Sequence, residues 1–230
     1  MAARGDQGNG GIYSDDFQNA TLGSWWDTTN TPGTSSITID GAGTANAVCR
    51  FTVPTDQDYL GTVWMEQDAG IVDESFVWEV MLSAPPLASE IGQSFVMGVH
   101  EVTRGTNHCE IVLYTGGNLE LEYKYNGSTV SPVTLGAAVT TLGLRLAFDH
   151  EAGGVNLDNM TPHYNVNGGG WVAVGGSTGI DMTVDATRIS AGRFDPGAQL
   201  ALDLDWSWDT SAAVVPEDGI GAAARRVMVR

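Results

Sequence analysis

Between Ser94 and Asn126 the chain reads SFVMGVHEV, then HCEIVLYT, then LELEYKYN. Each run is rich in Val, Ile, Leu, Tyr or Phe and is too short for a stable isolated helix. The joints are turn material, Thr103-Arg104-Gly105-Thr106-Asn107 and Gly116-Gly117-Asn118. Strand runs separated by glycine turns predict antiparallel hairpins, here a three-stranded meander. In the second run Cys109, Ile111 and Leu113 share one face, and His108, Glu110, Val112 and Tyr114 share the other. The third sets Leu119, Leu121, Tyr123 and Tyr125 against Glu120, Glu122 and Lys124. Such a period of two places one face on a core and the other toward water.

The same alternation recurs along the chain. Phe76, Trp78, Val80 and Leu82 oppose Val77, Glu79 and Met81, and Pro85-Pro86 ends that strand because proline donates nothing to a ladder. In Leu142 to Phe148 the leucines and Phe148 point inward, with Arg145 and Asp149 outward. Further strands are expected at Ile12–Phe17, Ser36–Ile39, Ala47–Val53, Val63–Glu66, His163–Asn167, Trp171–Val174, Arg188–Phe194 and Leu200–Trp208. No long stretch carries the 3.6-residue apolar period of an amphipathic helix. About a dozen strands without helices predict an all-β fold, a two-sheet antiparallel β-sandwich or jelly roll. Residues 1–11 are expected to be a flexible leader, 12–210 one sandwich domain, and 211–230 a tail or linker.

Composition narrows the function. The 230 residues carry a net charge of −18, with Lys124 as the single lysine, so phosphate backbones and anionic lipid surfaces are repelled. Neither nucleic-acid binding nor membrane insertion is expected: no apolar run approaches the roughly 20 residues of a spanning helix. The two cysteines, Cys49 and Cys109, stand in apolar strand contexts, and both a disulfide and two reduced core thiols are open. Three N-x-S/T triplets, at Asn19, Asn126 and Asn159, matter only in a glycosylating secretory pathway.

Four stretches carry a family resemblance: DDFQNATLGSWW, ESFVWEVMLSAPP, the pair GLRLAFD and HYNVNGGGWVAVG, and ISAGRFDPGAQLALDLDWSWD. Their order and spacing over about residues 13–209 resemble the concanavalin A-like lectin/glucanase superfamily, and within it the laminin G-like accessory domains of bacterial glycoside hydrolases. The resemblance implies a jelly roll with a concave and a convex sheet, N- and C-terminal strands side by side, and an extracellular or cell-surface setting.

Glucanases on this fold carry an E-x-D-x-x-E strand, because glycosidic cleavage needs two carboxyl groups flanking the scissile bond. Here Glu66-Gln67-Asp68 is followed by Ile71 at the third carboxylate position. Glu120 and Glu122 share a strand face, an arrangement that is ordinarily solvated surface. Sugar binding asks for rings and planar polar groups alternating on an open sheet face. His100, His108, Glu110 and Tyr114 fit that description, with Arg145 and Tyr164 expected from neighbouring strands. Trp25, Trp26 and Trp171 are placed at a rim, and Trp64, Trp78 and Trp206 in the core. Asp16, Asp203 and Asp205 would approach one another if the terminal strands pair, and hard oxygen ligands of this kind suit a structural calcium. The expectation is therefore a non-catalytic, lectin-like module binding poly- or oligosaccharide on the concave face, beside a neighbouring catalytic domain in the native chain. The competing readings are a glycoside hydrolase or polysaccharide lyase on the same fold, and a structural or protein-interaction sandwich.

Overall fold

The computed structural model describes residues 20–22, 28–31, 33–44, 47–52, 63–71, 75–82, 93–100, 107–115, 119–136, 138–154, 157–175, 178–180, 184–193, 199–202 and 207–209. These residues form strands joined by turns, with no helix among them. In chain order the strands are β1 (Thr28–Asn30), β2 (Ser36–Asp40), β3 (Val48–Thr52), β4 (Val63–Ile71), β5 (Phe76–Leu82), β6 (Gln93–His100), β7 (His108–Thr115) and β8 (Leu119–Tyr125). They continue as β9 (Ser128–Leu135), β10 (Leu142–Gly154), β11 (Leu157–Val166), β12 (Val172–Ala173), β13 (Thr178–Ile180), β14 (Val184–Arg193), β15 (Gln199–Leu202) and β16 (Ser207–Asp209).

A seven-stranded sheet runs β1-β4-β14-β6-β7-β8-β9, and a six-stranded sheet runs β12-β11-β10-β5-β16 with β13 added on β11. A small third sheet runs β15-β3-β2, and every pairing is antiparallel. The fold is thus the antiparallel sandwich expected from the alternation. The expected meander is β6-β7-β8, extended by β9 at the edge.

One core cluster joins the inner faces. It holds Phe95, Met97, Ile111, Leu113, Leu121 and Tyr123 from the first sheet, and Phe76, Trp78, Leu82, Leu144 and Leu146 from the second. Trp78 has no exposed surface, as expected, and the register partners Phe76 and Phe148 stack with ring centroids 4.9 Å apart. Phe51 and Cys49 carry the small sheet into the same core. Cys49 and Cys109 are buried on different sheets and do not form a disulfide with each other, and Tyr123 Oη donates to Cys109 Sγ at 3.5 Å.

Two Asn-Gly pairs set the hairpin geometry. Asn126 and Gly127 both have positive φ, 49° and 77°, so the β8–β9 loop needs only two residues. Asn167 (φ 52°) opens the turn after β11 and also binds another segment. Its Oδ1 accepts from Thr140 N at 2.7 Å, Thr140 Oγ1 at 2.8 Å and Thr141 N at 3.0 Å, and its Nδ2 donates to Ala138 O at 2.7 Å. The residues before β10 are thereby tied to the end of β11.

Candidate functional site

The outer face of the seven-stranded sheet follows from the pleat. Cys109, Ile111 and Leu113 are sealed in the core, so His108, Glu110, Val112 and Tyr114 must face away from it. Backbone register aligns Glu66 with Arg188, Arg188 with Gly98, Gly98 with Glu110, and Glu110 with Lys124. One row of positions thus crosses five strands with charged residues at four of them. One step along, His100 is the register partner of His108. The two histidines expected near the ends of one hairpin therefore stand opposite each other on adjacent strands. The imidazole Nδ1 of His108 is shielded from water and has no hydrogen-bond partner.

This face is not uniformly open. Val96 and Val112 are nearly sealed at 3% and 2%, and Glu110 is only 7% exposed. A Cβ at Gly98 would lie 3.0 Å from Glu110 Cγ, so the missing side chain at 98 is what makes room for the glutamate. Among the described side chains of this face, the open ones lie over β7 to β9. There Tyr114, Glu122 and Lys124 are half-buried, and Glu120 and Thr129 are exposed. The Lys124 ammonium bonds the Tyr114 hydroxyl, lies 5.0 Å from the Tyr114 ring centroid, and pairs with Glu122 Oε2 at 3.1 Å. Thr129 Oγ1 donates to Glu122 at 3.3 Å. Burial pulls the lysine's pKa down. The Tyr114 and Glu122 contacts outweigh it and hold the ammonium above its ordinary value. The arrangement is a ring, a carboxylate and an ammonium locked at fixed spacing on a strand surface.

Arg145 and Tyr164 do not join this face. Both belong to the six-stranded sheet, Arg145 on β10 and Tyr164 on β11. Tyr164 is the register partner of Leu144 and packs against the core, so its alternation phase points it inward. Arg145 does face outward, on the opposite side of the sandwich. Its Nε donates to Glu79 Oε1 at 2.6 Å, and its guanidinium lies 4.0 Å from the centroid of the Trp171 ring. Trp171, expected at a rim, instead lies against the outer face of this sheet.

Asp16, Asp203 and Asp205, the expected calcium ligands, lie outside the described residues, as do Trp25, Trp26 and Trp206. Among the described residues no three His, Cys, Asp or Glu side chains gather to hold a metal ion. The Glu66-Gln67-Asp68 string lies on β4, and the register with β14 shifts between the Asp68 and Ile71 pairings.

Sequence reading missed several residues of these faces. Lys124 carried a signal, as the lone lysine of an acidic chain flanked by Glu122. Thr129 and the whole of β9 did not, because STVSPVTL is polar and holds Pro132, which fits only an edge strand. Glu79 was legible as an outward position, but nothing local told which strand would lie beside its own, and Asn165 carried no face signal.

Comparison with family models finds no match, and comparison with curated proteins finds none either. Solved structures do match. The GH43 protein BlXynB from Bacillus licheniformis superposes with a TM-score of 0.62 at 18% identity, over 86% of this chain and 39% of that one. The chain therefore spans about two-fifths of that protein's length. A Bacillus licheniformis β-glucanase gives a TM-score of 0.54 at 11% identity, over 90% of this chain and 100% of that one. The CBM2 module of the evolved Dit of Lactobacillus casei BL23 phage J-1 gives 0.53 at 10% identity, over 90% and 92%. At these identities the likeness is one of fold.

Proposed function

We propose that this sandwich is a non-catalytic carbohydrate-binding module of a secreted or cell-surface protein, taking a poly- or oligosaccharide on the outer face of its seven-stranded sheet. The observation that carries the reading is the open strip over β7 to β9, where Tyr114, Lys124 and Glu122 are locked together. A ring beside an ordered carboxylate and ammonium offers a hydrophobic contact for a sugar's C–H face and donors and acceptors for its hydroxyls. Pre-organisation matters because weak sugar contacts are easily spent on ordering side chains. The fold neighbours support a sugar-related role, since they include a carbohydrate-binding module and glycoside hydrolases. The acidic surface favours neutral glycans over anionic ones.

The test is a glycan array that includes xylan, xyloglucan and β-glucan oligosaccharides, run with and without a calcium chelator. Binding is expected to be lost in Tyr114→Ala and kept in Glu120→Ala. Equal loss in both variants means the face is wrongly placed, and release of reducing ends would replace binding by hydrolysis. The chelator arm reads whether binding needs a cation such as the calcium proposed for Asp16, Asp203 and Asp205.

A further inference from the structure

The outer face of the six-stranded sheet carries a second cluster that the seven-stranded reading does not use. Two adjacent register rows build it. One is Met81–Gly143–Asn165, and the next is Glu79–Arg145–His163. Trp171 spans both. Its ring lies over the Arg145 guanidinium, and a Cβ at Gly143 would meet the Trp171 Cη2 at 2.9 Å and Met81 Sδ at 2.8 Å. Glycine at 143 is thus a dent that receives the tip of the indole.

Beside that dent, Asn165 is only 7% exposed, and its Oδ1 is shielded from water with no hydrogen-bond partner. An amide oxygen has two acceptor sites, and leaving both empty in a dry setting is costly. Buried polar groups without partners are rare enough in native folds to call for a ligand or an ordered water. The surrounding groups remain reachable: Trp171 is half-buried, and the Arg145 and Glu79 side chains keep 18% and 21% of their surface.

We infer that Trp171, Arg145, Glu79 and Asn165 form a second saccharide subsite on the outer face of the six-stranded sheet. The ligand class is a neutral glycan. The indole offers an apolar surface to a pyranose C–H face. The Arg145–Glu79 pair offers planar donors and an acceptor for adjacent hydroxyls while adding no net charge. The Asn165 oxygen lies beneath this patch and accepts a hydrogen bond from a ligand hydroxyl that reaches under the indole edge. This subsite stands on its own residues and does not require the seven-stranded face to bind.

The test uses the full chain, with xylan, xyloglucan and β-glucan oligosaccharides as probes. Indole N–H resonances are followed by NMR during titration, with Trp171→Phe assigning the Trp171 signal. The expected result is a saturable shift of that signal, about tenfold weaker binding in Trp171→Ala, and a smaller loss in Trp171→Phe. The titration of the unaltered chain gives the answer even if Trp171→Ala fails to fold. A Trp171 signal that stays still for every probe, with Trp171→Phe binding as tightly as the unaltered chain, overturns the subsite and leaves Asn165 to an ordered water. Loss in Tyr114→Ala with full binding in Trp171→Ala also overturns it, while the seven-stranded reading survives. The reverse pattern supports the subsite and removes the other face.

Discussion

Substituting Gly143→Ala tests the seat of Trp171 directly. Gly143 lies on the outer face of β10 with an ordinary negative φ, so alanine imposes no backbone strain. By itself the change stabilises by about 0.4–1 kcal/mol, because alanine narrows the unfolded ensemble. Against this, the new methyl would sit 2.8 Å from Met81 Sδ, 2.9 Å from Trp171 Cη2 and 3.3 Å from Asn165 Cβ. Three such contacts are overpacking, which costs about 1–3 kcal/mol. The clash therefore wins, with a net loss of about 1 kcal/mol and a Tm about 2–4 °C lower for a chain of this size. Urea unfolding should show a lower midpoint with an unchanged slope. In a Trp171→Ala background the methyl has room on one side, so the alanine penalty should shrink by about 0.5–1 kcal/mol in a double-mutant cycle. A Gly143→Ala protein that is more stable than its parent, with no coupling to position 171, would refute the seated indole.

Other consequences follow from single contacts. Asn167→Ala loses four hydrogen bonds and a residue tolerant of positive φ; on an exposed turn this should cost about 1–3 kcal/mol, and Asn167→Gly, which keeps the backbone freedom, about half as much by urea titration. Burial pushes the Cys109 thiol up from 9.0 to about 12, so the folded state holds a proton that the unfolded chain releases. Stability should accordingly be lost as pH rises from 9 towards 12, a trend that Cys109→Ala should flatten. Neither Cys49 nor Cys109 should react with a thiol reagent at pH 8 until denaturant is added. Lys124, the single lysine, should be acylated at pH 8 more slowly than a free lysine, and Tyr114→Phe, which removes the hydroxyl partner, should speed the reaction.

The strand faces were legible because alternation is a local property. Cys109, Ile111 and Leu113 announce their inward phase within seven residues, and Leu142 to Phe148 do the same. Edge strand β9 was not legible, since a strand with little to bury leaves little apolar pattern. The open cysteine question closed only in three dimensions: Cys49 lies in the small sheet and Cys109 in the seven-stranded one.

The grouping of the site shows the division most clearly. From sequence, Arg145 is an outward residue on a strand, and so is Glu110. Nothing within either strand says that they stand on opposite sides of the molecule, because phase fixes a face only relative to its own strand. That assignment comes from pairing over long separations, β10 with β5 in one sheet and β14 with β6 in the other. Local alternation and composition were enough to establish an all-β sandwich, its core phase and its acidic surface. Tertiary pairing was needed to bring Arg145 to Glu79 and Trp171, to bury Glu110 over Gly98 and to set Lys124 against Tyr114, because each contact joins separate segments of the chain.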